Sequence, residues 1–505
     1  MSIPDQMAAA RQKLHTDPGA KQGSGASALV SPAIRHRQLL SAFYDRLHDD
    51  PRYLRCHYYY ERLKARMAQL VPPGARVLDL GCGTGDMLSA LRPSVGVGVD
   101  VSPAMVRDAR IRHPHYRFHQ MAAEDVADFA DTFDYILISQ TLGEIHDLVA
   151  LFESLRKVCH ARTRLIIAHD NRLWQPMLKL AEWLGIKRPT PERNWIPSDE
   201  VEHLLALAGF ETIRAIGMTL LPVKIPLISD AVNRFVGNLP LLHHLGLNYV
   251  LVARPLEPTG APRRRPESVS IIVPARNEAG HINALMERLP VVAPKQEIIF
   301  VEGGSGDDTW EVIARTVAAY QGPFALSCMK QEGKGKGDAV RQGFAAATGE
   351  VLMILDADLS VPPEELPGFF NALVGGKGEF INGSRMVYLM DKRAMRFLNL
   401  LANKTFGGIF TYLLSQRFRD TLCGTKVLHR SDYERIAQNR AHFGDFDPFG
   451  DFDLLFGAAR LGLKIIDVPV HYAARTYGTT NISRFRHGWM LLKMCFVAAA
   501  KLKFV

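Results

Sequence analysis

Two series of short apolar runs that alternate with helical stretches lie on either side of a proline-rich segment. The first series spans residues 76–253, and the second begins at Ser268. Between them, residues 254–266 contain four prolines and an arginine cluster, which no regular element accommodates, so this segment predicts a linker. Alternating strands and helices form mainly parallel sheets with helices on both faces. We therefore expect two doubly wound α/β domains with a boundary near residue 260.

The chain of 505 residues is long enough for two hydrophobic cores. Its leading segment is rich in Gly, Ala, Ser and Gln and predicts a mobile leader. The predicted strands are residues 76–79, 95–100, 133–139, 164–169 and 248–253 in the first series, and 269–273, 297–301 and 350–355 in the second. The predicted organisation is a leader at 1–35, a first domain at 36–254, a linker at 255–267, a second domain at 268–486 and an amphipathic tail at 487–505.

Composition narrows the class of protein and the compartment. With 47% hydrophobic and 22% charged residues, the chain is neither fibrous nor wholly disordered. Its six cysteines show no C-x-x-C spacing, so we expect reduced thiols in the cytoplasm rather than a disulfide framework or a zinc site. The formal charge of +9 suits anionic lipid, nucleotide or phosphate ligands, and part of the excess lies in the tail. We expect no nucleic-acid partner.

The most specific motif of the first half is a strand that runs into a glycine-rich turn and then a helix, at residues 77–86. Glycines let the backbone approach a ligand closely, and a helix N-terminus offers free N–H groups. The spacing is Gly-x-Gly-x-Gly rather than the dinucleotide Gly-x-Gly-x-x-Gly. The next predicted strand ends in Asp100, whose carboxylate can accept hydrogen bonds from both ribose hydroxyls. The alternative is a structural strand-turn-helix with an incidental Asp.

In these residues the chain resembles class I S-adenosylmethionine (SAM)-dependent methyltransferases, over about residues 40–253. The resemblance implies a Rossmann-like fold in which Asp100 holds the ribose of SAM. It also implies that the amino-acid end of SAM is held by Asp79, Gly81, Gly83 and Gly85. Ala122 stands where the family often has an acid, which leaves Glu124 or Asp125 as adenine contacts. Glu144 and His146 are candidate general bases for an unidentified methyl acceptor, or simply helix caps.

The second half carries carboxylates and a basic loop at the ends of its predicted strands. Residues 269–278 form a buried strand that ends in a polar turn with Glu278, and the loop at 333–337 suits phosphate but is also common as a solvated turn. Asp356 and Asp358 follow another strand. On a strand of period two they project to the same side, so together they can hold a hard divalent ion.

These motifs resemble family-two glycosyltransferases, and across about residues 268–490 the polyprenyl-phosphate sugar transferases that include dolichyl-phosphate mannosyltransferase. The resemblance implies a GT-A-like fold and an inverting transfer from a nucleotide sugar. It implies Mg²⁺ or Mn²⁺ on Asp356 and Asp358, and Asp453 as a base organised by Asp420 and Asp451. The implied binding residues for the nucleotide sugar and the acceptor, polyprenyl phosphate being one candidate, are Pro274, Glu278, Glu302, Asp307, Lys336, Asp356, Arg385 and Arg475, with Arg484 as a further candidate for acceptor phosphate.

Two apolar segments with sparse charge predict attachment to the cytoplasmic face of a membrane. Residues 487–505 alternate apolar and basic side chains, which suits a helix lying in the headgroup layer. Residues 395–414 resemble the membrane-facing helices of the family. Alternatively, both helices pack on the protein's own core. For the first domain, the alternatives are an oxidoreductase or a catalytically silent scaffold.

Overall fold

The computed structural model describes residues 31–48, 57–185, 187, 190–191, 193–240, 242–257, 264–388, 397–440, 452–473, 477 and 484–504, without the side chains of 397–401 and 484–487. Asp451, Arg475, most of the predicted leader and residues 258–263 of the predicted linker lie outside these ranges. The helices are α1 Pro32–His48, α2 His57–Leu70, α3 Asp86–Leu91, α4 Pro103–Arg112, α5 Leu148–Leu155, α6 Gln175–Trp183, α7 Ser198–Leu207, α8 Ile228–Arg234, α9 Ile282–Arg288, α10 Thr309–Ala319, α11 Lys336–Ala346, α12 Leu366–Val374, α13 Phe397–Leu414, α14 Arg430–Gln438, α15 Phe452–Arg460 and α16 Arg484–Ala498.

The strands form two seven-stranded sheets, one in each half of the chain. The first sheet contains β1 Arg76–Leu80, β2 Val95–Asp100, β3 Arg117–Gln120, β4 Phe133–Ser139, β5 Cys159–Asp170, β6 Phe210–Met218 and β7 Asn248–Pro255. The second contains β8 Ser268–Ala275, β9 Lys295–Glu302, β10 Ala325–Lys330, β11 Val351–Ile354, β12 Phe380–Ser384, β13 Lys426–His429 and β14 Ile465–Pro469. The expectation of two α/β domains is therefore confirmed.

The first sheet has the strand order β3-β2-β1-β4-β5-β7-β6. The five strands from β3 to β5 are parallel, whereas β7 is antiparallel to both β5 and β6. The sequence predicted a parallel sheet, and β7 departs from it by lying antiparallel between β5 and β6. Apolar side chains of the central strands are buried on both faces, as the helix cover requires.

The second sheet has the order β10-β9-β8-β11-β13-β12-β14. Strands β10, β9, β8 and β11 are parallel neighbours, as are β12 and β14, and β13 runs antiparallel between β11 and β12. Its two cores lie on opposite faces of the sheet. Because β8, β9 and β11 are parallel, their carboxyl ends meet at one edge, which is where the motif loops leave the sheet.

A buried polar interface joins the two halves. Arg164, on β5, is 1% exposed, and its guanidinium donates to both carboxylate oxygens of Glu379 (2.7 and 2.8 Å) and to the carbonyl of Gly462. On β6, Arg214 donates to the carbonyl of Ala459 at 2.9 Å. The first half contributes β5 and β6, and the second half contributes Glu379 just before β12, Ala459 in α15 and Gly462 between α15 and β14.

The C-terminal helix α16 packs its inner face on the core of the second half. Leu491, Met494, Cys495 and Ala498 are buried there against α13 and α15. The outer face exposes Trp489, Lys493 and Phe496. The described part of α13 also packs inward, since Phe410, Leu413 and Leu414 are buried and the exposed positions are Ala402, Lys404, Thr405 and Gly408. Among the helices of the described residues, none combines the length and apolarity that crossing a bilayer requires.

Candidate active sites

A cavity of about 240 Å³ opens at the carboxyl ends of β1, β2 and β4. Its floor is the turn after β1, where Gly81, Gly83 and Gly85 adopt φ values of 72°, 52° and 78°. A side chain at Gly81 would collide with Thr141, because a Cβ there would lie 2.2 Å from the threonine Oγ1. The glycine spacing noticed in the sequence is therefore a requirement of the backbone at this turn.

Asp79 is the most unusual group in this cavity. Its side chain lines the cavity and is 1% exposed, and neither carboxylate oxygen has a hydrogen-bond partner in the described structure. Burial, together with the charge of Asp100, raises the pKa of Asp79 to about 7. A buried carboxyl group without partners is costly. It is suited to receive a cationic group from a ligand.

Asp100 occupies the tip of β2, as predicted, and is fixed from two sides. Its Oδ2 accepts from the backbone N–H of Gly83 at 2.8 Å, and its Oδ1 accepts from that of Ser102 at 2.9 Å. Burial raises the pKa of Asp100, while these backbone hydrogen bonds oppose the shift. The carboxylate thus ties the glycine turn to the second strand beside the cavity.

Helix α1 covers the cavity, and it begins four residues before the predicted start of the first domain. Arg37 forms a bidentate ion pair with Asp125 (2.8 and 3.1 Å) and lies 3.9 Å from Glu124. Of these two candidate adenine contacts, only Glu124 lines the cavity. The carboxylate of Asp45 accepts from the hydroxyl of Ser102 at 2.5 Å. These contacts hold α1 over the cavity, and the sequence did not identify Arg37 or Asp45.

Glu144 lines the cavity, whereas His146 is exposed and does not line it. The hydroxyl of Tyr44 lies 2.7 Å from both oxygens of Glu144, and Arg193 lies 3.4 Å away. Burial raises the pKa of Glu144, although Arg193 and Tyr44 oppose the shift. Arg193 also donates to Asp170 at 2.7 Å. Of the two candidate bases, only Glu144 lies where an acceptor proton could reach it.

In the second half, the loops after β8 and β9 are joined by hydrogen bonds. The buried Glu278 bonds to His281 at 2.7 Å through its carboxylate, and its N–H donates to the hydroxyl of Thr309. Glu302 accepts from the N–H of Ser305 at 2.6 Å, and Asp307 accepts from the N–H of Thr309. Pro274 lies on β8 and is partly exposed at the start of this edge. The three predicted acids are therefore held at one edge of the sheet.

Tyr477 lies over this same edge of the sheet, and the sequence did not predict this position. Its ring meets that of His281 with centroids 5.7 Å apart, and its hydroxyl lies 3.4 Å from Asp307. Gly280 makes the approach possible, because a Cβ there would lie 2.6 Å from the tyrosine ring. No pattern in the sequence pairs Tyr477 with His281 or Asp307, which are about 200 and 170 residues away along the chain.

Asp356 and Lys336 meet directly. The ammonium of Lys336, the first residue of α11, lies 2.6 Å from Oδ1 of Asp356. The backbone of Gly424 presses against the pair, since a Cβ there would lie 2.1 Å from Oδ2 of Asp356 and 2.3 Å from the lysine Nζ. The resemblance implied that Lys336 binds the nucleotide sugar or acceptor and that Asp356 binds metal, and in the structure these two side chains are in contact.

Asp358 is placed differently from the period-two expectation. Strand β11 ends at Ile354, so both carboxylates stand in the following turn, and Asp358 is buried with Oδ1 accepting from the N–H of Ser360 at 3.0 Å. Within the described ranges, no three His, Cys, Asp or Glu side chains gather closely enough to hold a metal ion. Mg²⁺ commonly binds one or two carboxylates and completes its shell with substrate phosphate and water, so this pair of hard oxygen donors fits.

Arg385 and Asp420 are bonded to each other. The guanidinium of Arg385 donates to both oxygens of Asp420 at 2.7 Å, and the amide of Asn403 donates to Asp420 at 2.8 Å. Although burial opposes it, Arg385 lowers the pKa of Asp420. Such a fully bonded pair organises the loop that carries Gly424 and leaves Asp420 ionised.

Asp453 is the second residue of α15 and is 8% exposed. Its Oδ2 accepts from Nε of Arg440 at 3.0 Å and lies 3.9 Å from a guanidinium nitrogen of Arg341. Arg341 belongs to α11, the helix that Lys336 opens, so Asp453 faces the helix of the basic loop. The suggested organiser Asp451 and the suggested acceptor-binding residue Arg475 fall outside the described residues, as does the side chain of Arg484.

Comparison with known proteins assigns both halves. Residues 51–215 match the family model described as methyltransferase domain, and residues 270–437 match glycosyl transferase family 2. The chain carries a methyltransferase domain followed by a family-two glycosyltransferase domain. Both belong to families of enzymes.

The relatives of the glycosyltransferase domain include sugar transferases that act on a lipid phosphate. An undecaprenyl-phosphate 4-deoxy-4-formamido-L-arabinose transferase of Enterobacter is 26% identical over 224 residues, which are 43% of this chain and 63% of the relative. Glycosyltransferase AglD of Haloferax volcanii is 27% identical over 225 residues, 43% of this chain and 35% of the relative. The chain thus spans less than two thirds of the length of these relatives.

Solved structures also resemble each domain. A SAM-dependent methyltransferase of Thermotoga maritima, described as a possible histamine N-methyltransferase, aligns with a TM-score of 0.34 and 18% identity, covering 43% of this chain and 99% of the other. Glucosyl-3-phosphoglycerate synthase of Mycobacterium tuberculosis in complex with uridine diphosphate aligns with a TM-score of 0.34 and 20% identity, covering 47% of this chain and 80% of the other.

Proposed function

We propose that the chain is a bifunctional transferase. Its first domain, residues 36–254, transfers a methyl group from SAM, and its second domain, residues 268–486, transfers a sugar from a nucleotide sugar with inversion. The unpartnered buried carboxyl group of Asp79 carries the first assignment. The contact of Lys336 with Asp356 beneath Gly424 carries the second. Residues 255–267 act as the linker.

SAM fits the cavity of the first domain by its charges. Asp79 would take the cationic amino group of SAM, the glycine turn would lie against its amino-acid end, and Asp100 would accept from the ribose. SAM supplies a methyl group that is displaced from a sulfonium, a reaction whose main requirement is positioning. The residues Tyr44, Glu144 and Arg193 form the acceptor side. Glu144 would take the proton of an acceptor that must lose one, and its raised pKa suits a general base.

A divalent ion, Mg²⁺ or Mn²⁺, fits the glycosyltransferase domain on Asp356 and Asp358. Such an ion neutralises charge on a departing nucleotide diphosphate. Lys336 contributes a positive charge at the same location, and the helix N-terminus it opens favours phosphate. Glu278, Glu302 and Asp307 would contact the nucleoside, and Asp453 would orient the acceptor or take its proton.

We propose a phosphorylated polyprenyl lipid as the sugar acceptor, in line with the undecaprenyl-phosphate relatives. A phosphate acceptor is already ionised and needs no base, whereas a hydroxyl acceptor would need Asp453. The protein would bind peripherally to the cytoplasmic face of the membrane. The outer face of α16, with Trp489, Lys493 and Phe496, combines aromatic and basic side chains that suit the headgroup layer.

Binding and transfer experiments separate the two activities. Calorimetry should detect SAM but not NADH, and Asp100→Ala should weaken SAM binding while sugar transfer from nucleotide sugars to polyprenyl phosphate continues. Binding of NADH would favour an oxidoreductase, and SAM binding without transfer to any acceptor would favour a scaffold. Equal loss of both activities in folded Asp100→Ala would contradict two separate sites.

Metal dependence is tested on the sugar transfer alone. A chelator should abolish the transfer, Mg²⁺ or Mn²⁺ should restore it, and SAM binding should persist throughout. Asp356→Ala should behave like the chelated protein. Glu364→Ala is a matched control, because this exposed carboxylate pairs with Arg288 away from the site. Full activity of Asp356→Ala or in excess chelator would refute the metal role.

A further inference from the structure

The helix α6 of the methyltransferase domain exposes a stripe of apolar side chains. Its inner side packs Trp174 and Leu178 on the core. Its outer side presents Leu173, Met177, Leu180, Trp183 and Leu184, of which Trp183 is 81% exposed. Positions 173, 177, 180 and 184 follow the helical repeat, so they lie on one face. Because α6 is apolar on both sides, its outer face exposes apolar side chains to water, which is unfavourable.

A second group of exposed apolar side chains occupies the loop before α8, at residues 221–228. The loop exposes Val223, Ile225, Leu227 and Ile228, with Leu227 87% exposed at a φ of +64°. Such a φ is unfavourable for an L side chain other than Asn or Asp. The sequence therefore keeps a large apolar side chain at a position where neither solvation nor backbone conformation favours it.

Two buried polar side chains hold this loop in place. The hydroxyl of Ser229 donates to the carbonyl of Val223 at 2.6 Å and accepts from the N–H of Ile225 at 2.8 Å. The side chain of Asn233 bonds to both the N–H and the carbonyl of Leu221. Because the backbone is already fixed, presenting the apolar side chains to a partner costs little conformational entropy.

Both groups are attached to the connection between β6 and β7: the loop is part of it, and the start of α6 is hydrogen-bonded to it. The indole N–H of Trp174 donates to the carbonyl of Leu245 at 2.8 Å, and the side chain of Asn171 donates to the carbonyls of His244 and Gly246. These contacts attach the start of α6 to the end of the connection between β6 and β7, which also contains the 221–228 loop. In the same connection, Phe235 stacks on Phe504 of the C-terminal tail.

The charges around these side chains are mainly positive. Arg172, Lys179 and Lys224 are exposed beside the apolar residues. Among the described acids of residues 172–185 and 221–230, Glu182 pairs with Lys187 at 2.6 Å, and Asp230 accepts from the hydroxyl of Tyr58 at 2.9 Å. Leucine, isoleucine and tryptophan side chains flanked by basic residues match the interface of a bilayer with anionic headgroups.

We propose that α6 and the 221–228 loop form a membrane-docking surface on the methyltransferase domain, with an anionic lipid bilayer as its occupant. The surface is separate from the C-terminal helix and does not depend on either catalytic assignment. It inserts Leu180, Trp183 and Leu227 at the headgroup boundary. The methyltransferase domain then holds the protein on the membrane together with the domain that transfers the sugar.

Sedimentation of the full chain with vesicles of phosphatidylcholine and phosphatidylglycerol tests the proposal. Leu180→Gln/Trp183→Gln and Leu227→Asn should each weaken vesicle binding about tenfold, as expected when buried apolar side chains are replaced. Leu227→Asn should not lower the thermal midpoint, because Asn tolerates positive φ. Ile111→Gln and Val291→Gln are matched controls, since both residues are exposed elsewhere, and they should bind as the wild type does.

Two further measurements determine whether Trp183 inserts into the bilayer and whether another partner occupies the surface. Brominated lipid should quench tryptophan fluorescence in the wild type, and Trp183→Phe should bind equally well with less quenching. Wild-type binding by both surface variants would overturn the proposal. So would a wild-type dimer in lipid-free ultracentrifugation that these variants dissociate, which would assign the surface to a second copy. Loss of binding only in Trp489→Ser/Phe496→Ser would likewise overturn it, while leaving attachment through α16 intact.

Discussion

The position and the partners of each carboxylate in the two sites depend on the residues around it. Asp79 follows two apolar residues of β1, which places it at the strand end, and the sequence alone predicts its position. The pairing of Asp356 with Lys336 was not predictable, because 19 intervening residues separate the two side chains and only the sheet order brings them together. The same holds for Tyr477 and His281. Local patterns predict which residues lie at the edge, and tertiary packing determines their partners.

Asp79 should make SAM binding depend on pH. Its pKa of about 7 in the free protein means that protonation competes with a cationic ligand below neutrality. We expect SAM affinity, measured by calorimetry, to rise between pH 6 and pH 7.5. Asp79→Asn should weaken binding and remove most of this dependence. A wild-type affinity that stays constant over this range would contradict the assignment.

The same raised pKa predicts the effect of Asp79 on stability. Asp79 loses its proton near pH 4 in the unfolded state and near pH 7 in the folded state. Its contribution to stability is therefore fully present below pH 4 and is lost as pH rises through 7. Without SAM at pH 8, Asp79→Asn should therefore increase the free energy of unfolding, by up to about 4 kcal/mol. Urea unfolding at pH 4 and pH 8 measures the difference, which should nearly vanish at pH 4.

At the scale of elements, the sequence predicted eight strands and missed the edge strands β3, β6, β10 and β14 and the interior strands β12 and β13. The eight predicted strands correspond to β1, β2, β4, β5, β7, β8, β9 and β11, whose side chains are mostly buried and apolar. Strands β3 and β10 lie at sheet edges and carry exposed polar residues, so their apolar signal is weak. In β12 and β14, short runs of five residues contain Asn, Gly, Ser or Asp. Burial on both faces produces the signal, and edge strands lack it.

The C-terminal element shows why an amphipathic pattern has two meanings. The tail pattern predicts both an interfacial helix and a helix packed on its own core, and α16 has one face buried and the other exposed. Lys503, five residues after the end of α16, is buried, and its Nζ donates to the hydroxyl of Ser415 at 2.8 Å. Burial, with the charges of Arg66 and Arg214, lowers the pKa of Lys503 to about 7.

Lys503 should destabilise the folded chain below neutral pH. The cost of its buried charge is fully present below pH 7 and is relieved as pH rises from about 7 towards the ordinary lysine pKa. At pH 6, Lys503→Met should raise the free energy of unfolding by roughly 2–4 kcal/mol. The gain should be smaller at pH 9. Lys501→Met, which removes an exposed charge two residues away, serves as the control and should have little effect at either pH.

At the scale of the whole molecule, the polar interface determines whether the two domains behave as one unit. Arg164 and Glu379 are joined through two hydrogen bonds, and Arg254 lies 3.6 Å from the same carboxylate. Lys464 adds an ion pair with Glu211 at 2.8 Å. This interface could not be predicted from the sequence, because its residues come from distant strands and loops and have no common spacing.

Removing one partner of this buried pair should be costly. Arg164→Met leaves the carboxylate of Glu379 with less compensation, so we expect a loss of about 3 kcal/mol in the free energy of unfolding. Arg288→Met is the matched control, since it breaks an exposed pair with Glu364 and should cost less than about 1 kcal/mol. In the double variant Arg164→Met/Glu379→Gln, the loss should be smaller than the sum of the two single losses.

Coupling between the domains follows from the same contacts. A ligand that binds only the folded state stabilises every part that unfolds together with its site. SAM should therefore slow hydrogen exchange in β8, β9 and β11 of the wild type, although its cavity lies in the other domain. In Arg164→Met, where the interface is weakened, protection by SAM should remain in β1, β2 and β4 and disappear from the second sheet. Equal protection of the second sheet in both proteins would show that the coupling does not pass through Arg164, and an absence of protection there in the wild type would show that the two domains unfold independently.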